Sequence, residues 1–249
     1  MLGEFVLPTG GAAWTASFID VLARHDVEEK ATRQAIMRTA SAGWLRSTRD
    51  GRRTRWDLTA AGSRLLTEGA ARIYGFTSAD QGWDGRWLVV LARVPETDRQ
   101  ARHLLRSRLS WAGLGAVAPG TWVSPQPDRQ AEVEQVLAEA GVDDAHCFVA
   151  RHTLGDARRM VRDAWDVEGM AEAYGEFVDR FEDAAGDDVL RRQVDLVHRW
   201  RRFPQIAPTL PRDLLPAHWP GDRASELFRT RHGQWREPAL SAWRALDAG

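Results

Sequence analysis

A chain of 249 residues, 43% hydrophobic and 28% charged, is long enough for two or three compact units. Its formal net charge is −1, so it is no polycation and any nucleic-acid contact must come from local clustering; of its 34 basic residues only Lys30 is not arginine. A single cysteine, Cys147, excludes an internal disulfide framework and suits a reducing cytoplasm. The start Met1-Leu2-Gly3-Glu4 lacks a signal-peptide pattern, and Leu88-Val89-Val90-Leu91-Ala92 is too short to span a bilayer, so a cytoplasmic protein without membrane contact is expected.

Trp14, Phe18, Ile19 and Leu22 form an apolar stripe that predicts a first helix ending near His25-Asp26. Residues 27–31 predict a short second helix. A third follows from Ala31, with Ala35, Ile36, Thr39 and Ala40 on one face and Arg33, Gln34, Met37, Arg38 and Ser41 on the other; Gly43 stops it. Residues 44–48 and 54–58 then read as strands around Asp50-Gly51, a pair that tolerates positive φ. A two-residue turn there sets Leu45 opposite Trp56, Arg46 opposite Arg55 and Thr48 opposite Arg53. Like charges opposed across strands are unfavourable unless an anion lies against that face. Between 46 and 55 stand Arg46, Arg49, Arg52, Arg53 and Arg55 against one acid, Asp50. Helices, Gly43-Trp44-Leu45 and a basic hairpin together predict a winged helix-turn-helix over residues 1–75. Its expected partner is double-stranded DNA, met by Arg33, Gln34, Met37, Arg38 and Ser41 of the helix and the five arginines of the wing. The plainer alternative is a solvated strand edge guarded by charge.

Thr59 caps a helix predicted over 60–73 that carries Leu65 and Leu66, and residues 75–82 read as a linker. Residues 87–94 predict a buried strand, 96–111 an amphipathic helix with Leu104, Leu105 and Leu109, and 114–123 two strands broken at Pro119-Gly120. Asp128 caps a helix through 140, and 146–150 completes a short last strand. The order βαββαβ predicts a ferredoxin-like sandwich over residues 83–152. Beyond it, 158–165, 168–181 and 186–202 predict helices, the last ended by Phe203-Pro204. Pro208, Pro211, Pro216 and Pro220 predict an extended connection, and 224–235 and 239–246 predict terminal helices. The expected fold class is thus α+β multidomain, closing with an α-helical C-terminal domain over 153–249.

The seven histidines show no paired ligand spacing, so packed or surface histidines are the reading rather than a metal site. Phosphate-cradling glycine loops, Gly-x-Ser-x-Gly and dinucleotide fingerprints are missing, which removes hydrolase, nucleotidase and dinucleotide readings; no cofactor is expected. The twelve tryptophans read first as core and interface anchors.

Four stretches go further. They are Gly43-Trp44-Leu45 with the wing; Trp83-Asp84-Gly85-Arg86-Trp87; Gly113-Leu114-Gly115 with Trp122-Val123-Ser124-Pro125; and His198-Arg199-Trp200-Arg201-Arg202-Phe203-Pro204 followed by Leu210-Pro211-Arg212-Asp213-Leu214-Leu215-Pro216-Ala217-His218-Trp219-Pro220-Gly221. On these the chain resembles the PaaX-type transcriptional repressors over roughly residues 3 to 246. The resemblance implies a homodimer that binds operator DNA and releases it when an acyl-coenzyme A thioester, such as phenylacetyl-CoA, is bound. Such a ligand needs cations for its phosphates and an apolar slot for its acyl group. In the C-terminal segment Arg201 and Arg202, with Trp165, Tyr174, His198, Trp200 and Trp219, offer both.

The chain departs from the family pattern at three points. It begins almost directly at Gly3-Glu4-Phe5-Val6-Leu7-Pro8. Met37 stands on the reading face in place of a small polar residue. Arg93 stands where an aspartate usually precedes Ile-Pro-Glu, here Val94-Pro95-Glu96. The middle segment is similar to small CRISPR-associated nucleases that hold a hard metal with that aspartate. A hard cation needs carboxylate oxygen, so Arg93 disfavours the alternative of a metal-dependent nuclease and a non-enzyme is expected.

Overall fold

The computed structural model describes residues 1–76, 79–80, 82–95 and 97–248. Thr77, Ser78 and Gln81 of the expected linker, Glu96 at the expected start of the middle helix, and Gly249 lie outside the described residues. In chain order the elements are β1 (Ala12–Trp14), α1 (Thr15–Ala23), α2 (Glu29–Ser41), β2 (Leu45–Asp50), β3 (Arg53–Leu58) and α3 (Ala60–Tyr74). Then come β4 (Ala79–Asp80), β5 (Arg86–Ala92), α4 (Arg99–Trp111), β6 (Gly115–Ala118), β7 (Thr121–Ser124), α5 (Gln130–Glu139) and β8 (Ala145–Arg151). The chain closes with α6 (Ala157–Ala164), α7 (Val167–Phe181), α8 (Val189–Trp200), α9 (Phe203–Ile206), β9 (Leu210–Pro211) and α10 (Pro220–Ala248). The protein is α+β. It divides into two compact units: Met1–Phe76 with Asp179–Arg201 and Glu226–Gly249, and Thr77–Val178 with Arg202–Ser225. Residues 153–249, one segment in the sequence, contribute to both.

In the first unit an antiparallel sheet in the order β1-β3-β2 covers a core of Phe5, Phe18, Val21, Ile36, Leu45 and Trp56. Leu190 of α8 and Leu240 and Trp243 of α10 complete that core, Trp243 stacking on Phe5 at 5.5 Å. Three expectations change here. Trp14 ends β1 instead of opening the first helix, and α1 buries Phe18 and Val21 rather than a stripe through Leu22. Residues 27–31 form no helix of their own, because α2 starts at Glu29 and already buries Thr32 in its first turn. The terminal helices are one. α10 runs through Pro238, and the ring's cost of about 3 kcal/mol is offset by the burial of Trp235, Ala239, Leu240 and Trp243 on either side.

In the second unit β5 lies between β7 and β8, all antiparallel, in the order β6-β7-β5-β8. The core is Leu88, Val90, Leu105, Leu109, Trp122, Val133 and Leu137, the apolar residues of the sheet face and of α4 and α5. Asp128 does not cap α5. Pro127 opens a tight 3-10 turn, and Arg129 takes the cap position without a side-chain bond. Nor is the last strand short: β8 pairs with β5 from Arg86↔Arg151 to Ala92↔Ala145. Phe203-Pro204 does close α8, and Pro204 sits in the first turn of α9. Among the described residues no helix is long and apolar enough to cross a membrane.

Candidate nucleic-acid interface

The chain reverses between α1 and α2 at Asp26, whose φ of 60° is the left-handed conformation that aspartate tolerates. Ile36 and Thr32 turn inward from α2, at 6% and 0% exposure, which fixes the opposite face outward. Arg33, Gln34, Met37, Arg38 and Ser41 all lie on that exposed face, Met37 at 56%. Arg33 is tied to Glu29 one turn back at 2.7 Å. Arg38 has no side-chain partner among the described residues. Gly43, at φ 78°, stops the helix: its N–H bonds Ala40 O at 2.9 Å while Trp44 N–H reaches Thr39 O at 3.2 Å. Glycine avoids the strain that a side chain meets there.

The β2–β3 hairpin is paired two residues away from the expected register. Leu45 pairs with Leu58, Arg46 with Asp57, Ser47 with Trp56, Thr48 with Arg55 and Asp50 with Arg53. The turn is therefore Gly51-Arg52, and only Gly51 has positive φ, at 56°. A glycine at the first central position suits a type II′ turn, whereas Asp50-Gly51 would need positive φ at both residues. The shift is even, so each side chain keeps its face. It also removes the opposed arginines: Arg46 lies across from Asp57, and Thr48 Oγ1 donates to Asp57 Oδ2 at 3.1 Å.

Positive charge remains at the tip. Arg49 and Arg52 are exposed and have no side-chain partner among the described residues. Arg55 is 3.9 Å from Asp57, the outer limit of an ion pair. Arg53 lies 4.0 Å over the ring of Trp14, so part of its role is packing. Trp56 anchors the hairpin, its indole N–H donating to Thr15 Oγ1 at 2.9 Å, and Thr15 Oγ1 donates in turn to Thr54 O at 3.0 Å.

The seven residues considered for an acyl-CoA divide between the two units. In the first unit Trp200 is 1% exposed, stacked on Phe228 at 4.5 Å and donating to Ile73 O at 3.1 Å, while His198 and Arg201 are exposed. In the second, Tyr174 is fully buried and stacks on Phe203 at 4.2 Å, with Trp219 edge-on at 5.5 Å; Trp165 stacks on Trp87 and Arg202 is exposed. Tyr174, Trp200 and Trp219 are thus core residues, as tryptophan-rich composition first suggested. Among the described residues no three acidic, histidine or cysteine side chains gather to hold a metal.

Sequence reasoning passed over two features. Asp247, near the end of α10, accepts from Trp14 N–H at 2.9 Å, a contact spanning 233 residues that no local pattern announces. A cleft of about 990 Å³ in the second unit is bordered by Arg93, Arg102 and Arg106. The signal that could have found it is Arg102 and Arg106 one turn apart, with no acid between Arg99 and Trp111.

The chain is 32% identical over 243 residues to the transcriptional repressor PaaX of Escherichia coli, covering 91% of this chain and 75% of that one. It belongs to the PaaX family. Three family models match along it: the PaaX-like protein model over residues 1–62, the PaaX central Cas2-like domain over 80–161, and the PaaX-like C-terminal domain over 165–245. Among solved structures, the uncharacterized protein Rv0674 from Mycobacterium tuberculosis shares the fold of this PaaX-family chain. The TM-score is 0.62 at 22% identity, over 94% of this chain and 91% of that one.

Proposed function

We propose that this chain is a DNA-binding transcriptional repressor, not an enzyme, that reads its operator through α2 and holds the backbone with the β2–β3 hairpin. The observation that carries the reading is the run of exposed residues on α2, continued by the uncompensated arginines of a hairpin that Trp56 anchors to the same core. The element order β1-α1-α2-β2-β3 with the sheet order β1-β3-β2 supports reading the first 75 residues as a winged helix-turn-helix. The antiparallel order β6-β7-β5-β8, with α4 and α5 packed on one face, likewise supports a ferredoxin-like central segment over 83–152. Kinship to a named transcriptional repressor supports the regulatory role.

The finer reading follows the family resemblance: a homodimer on a two-fold symmetric operator, released by an acyl-CoA-type effector such as phenylacetyl-CoA. Arg201 and Arg202 are the exposed cations of the C-terminal residues considered for such a ligand. Half-sites should lie about one helical turn, or a multiple of it, apart. Footprinting on the promoter region of its own gene tests both levels. Protection of a symmetric site supports the dimer, protection without inverted symmetry rejects it, and no protection rejects the repressor reading.

A further inference from the structure

The cleft in the second unit lies between the end of β5, the β6–β7 hairpin and α4. Its apolar side is built from Val94, Pro95, Leu105, Val117, Pro119 and Trp122. Its volume of about 990 Å³ is within the range of about 300–1,000 Å³ usual for small-molecule sites. Arg102, Leu105 and Arg106 share one helical face at i, i+3 and i+4; Leu105 is sunk in the core at 3% exposure and both arginines are exposed. α4 itself contains no acidic residue. Arg106 has no side-chain partner among the described residues. A third cation, Arg93, stands on the rim, 3.9 Å from Asp144, the one carboxylate among the described residues that line the cleft.

The opposite wall is irregular in a way that opens it. Between β6 and β7 the register slips, Ala116 pairing with Trp122 and Ala118 with Thr121, so Val117 is an extra residue on its strand. Such bulges re-aim a side chain and interrupt pairing, and they gather beside functional sites. Gly120 holds the turn at φ 72°, where a Cβ would come within 2.8 Å of Ala92 O. Beneath lies Trp122, 6% exposed, whose indole N–H has no partner among the described residues. An apolar hollow rimmed by cations is unsuited to a metal ion and suited to an anion that carries an apolar body.

We infer that this cleft is a binding site for an organic anion, its negative group held by Arg102 and Arg106 and its apolar body packed on Val117, Pro119 and Trp122. The inference deepens the proposed effector control, on which it rests, by seating the effector in the central segment instead of on the C-terminal aromatics. A phosphate-bearing acyl thioester and an aryl carboxylate share this chemistry.

Calorimetric titration of the full-length protein with phenylacetyl-CoA, coenzyme A, phenylacetate and inorganic phosphate separates these sources, with operator release followed in parallel. Three variants are compared: Arg106→Glu, which reverses the charge; Val117→Trp, which fills the hollow without touching charge; and Arg201→Ala/Arg202→Ala as a control. The first two should weaken binding of the best probe by about tenfold or more and blunt release, while operator affinity without ligand stays at the wild-type value and the control behaves as wild type. Tight thioester binding and release that survive both cleft variants would overturn the site and leave the effector reading standing. Failure of every probe to bind a wild-type protein that still binds operator would overturn both. Loss of operator affinity in Arg106→Glu without ligand would assign the arginines to DNA and overturn the site.

Discussion

Asp247 Oδ1 accepts the N–H of Trp14 at 2.9 Å and the hydroxyl of Ser17, and so caps α1 from the far end of the chain. Trp14 sits at the cap position of α1 and has no capping side chain of its own. The first turn of a helix leaves N–H groups without partners and favours negative charge. A carboxylate from α10 supplies both needs, which ties the segment carrying α1 and α2 to the last turn of the protein. Asp247→Ala should therefore cost about 1 kcal/mol, read as a lower denaturant midpoint with an unchanged slope. Amide exchange should rise first in α1. Equal midpoints for variant and wild type would mean that another group takes over the cap.

A second tie is buried. Glu4 is 6% exposed and accepts from Gln193 Nε2 at 2.6 Å, from His232 Nε2 at 3.0 Å and from the Tyr74 hydroxyl. Burial alone would raise its pKa, but the hydrogen bonds of His232 and Tyr74, the charge of His232 and the bond from Gln193 outweigh it and lower the value to about 2. A carboxylate with a depressed pKa contributes stability above its unfolded value, near 4.5, and loses it as pH falls towards about 2. The shift corresponds to roughly 3 kcal/mol at neutral pH. Wild-type stability should fall steeply between those values, and Glu4→Gln should flatten that part of the profile while starting from a lower plateau. Parallel profiles would remove Glu4 as the source.

The hairpin arginines should separate into two kinds. Arg49 and Arg52 are exposed and without side-chain partners among the described residues, so alanine at either should weaken binding to every DNA sequence. The logarithmic salt slope should drop by about 0.9 per lost phosphate contact. Arg53 lies over Trp14, and its replacement should also lower stability through lost packing. On α2, Gln34→Ala and Arg38→Ala should change base preference more than salt dependence. Binding curves at several salt concentrations, on specific and random duplexes, distinguish these. Wild-type slopes in Arg49→Ala and Arg52→Ala would return the hairpin to a solvated edge.

Gly62 offers a test of the fold's tightest approach in the first unit. A Cβ there would fall 2.3 Å from the carbonyl oxygen of Trp44, backbone that cannot swing aside. Thr59 fixes that place by accepting from Gly62 N–H at 3.0 Å and donating to Gly43 O at 2.7 Å. Gly62→Ala would gain helix propensity in an open site, yet here it should destabilise by about 1–3 kcal/mol. A stabilised variant would show that α3 can shift away from the hairpin.

The α2 faces, the Gly43 stop, the strands of the hairpin and the βαββαβ order were legible because each follows from a local period or a residue with few backbone options. Glycine at a left-handed position and an isoleucine flanked by Ala35, Thr39 and Ala40 at helical spacing carry their meaning in short windows. The hairpin register was not legible. Asp50-Gly51 and Gly51-Arg52 both satisfy the turn, and the choice lies with Trp56 bonding Thr15 and with a pairing that sets Arg46 across from Asp57.

The same limit governs the sites. Sequence alone determined which residues could form a basic reading surface, because exposure on an amphipathic helix follows from its apolar stripe. It could not determine that Tyr174, Trp200 and Trp219 are core, since a tryptophan beside an arginine reads alike in a core and in a pocket. Tertiary structure decided that, and decided also that Asp247 caps α1, that α10 passes unbroken through Pro238, and that a bulge at Val117 opens a hollow beside Arg106. Each depends on which distant surfaces are pressed together, where the burial of large side chains outweighs local preferences worth about 1 kcal/mol apiece.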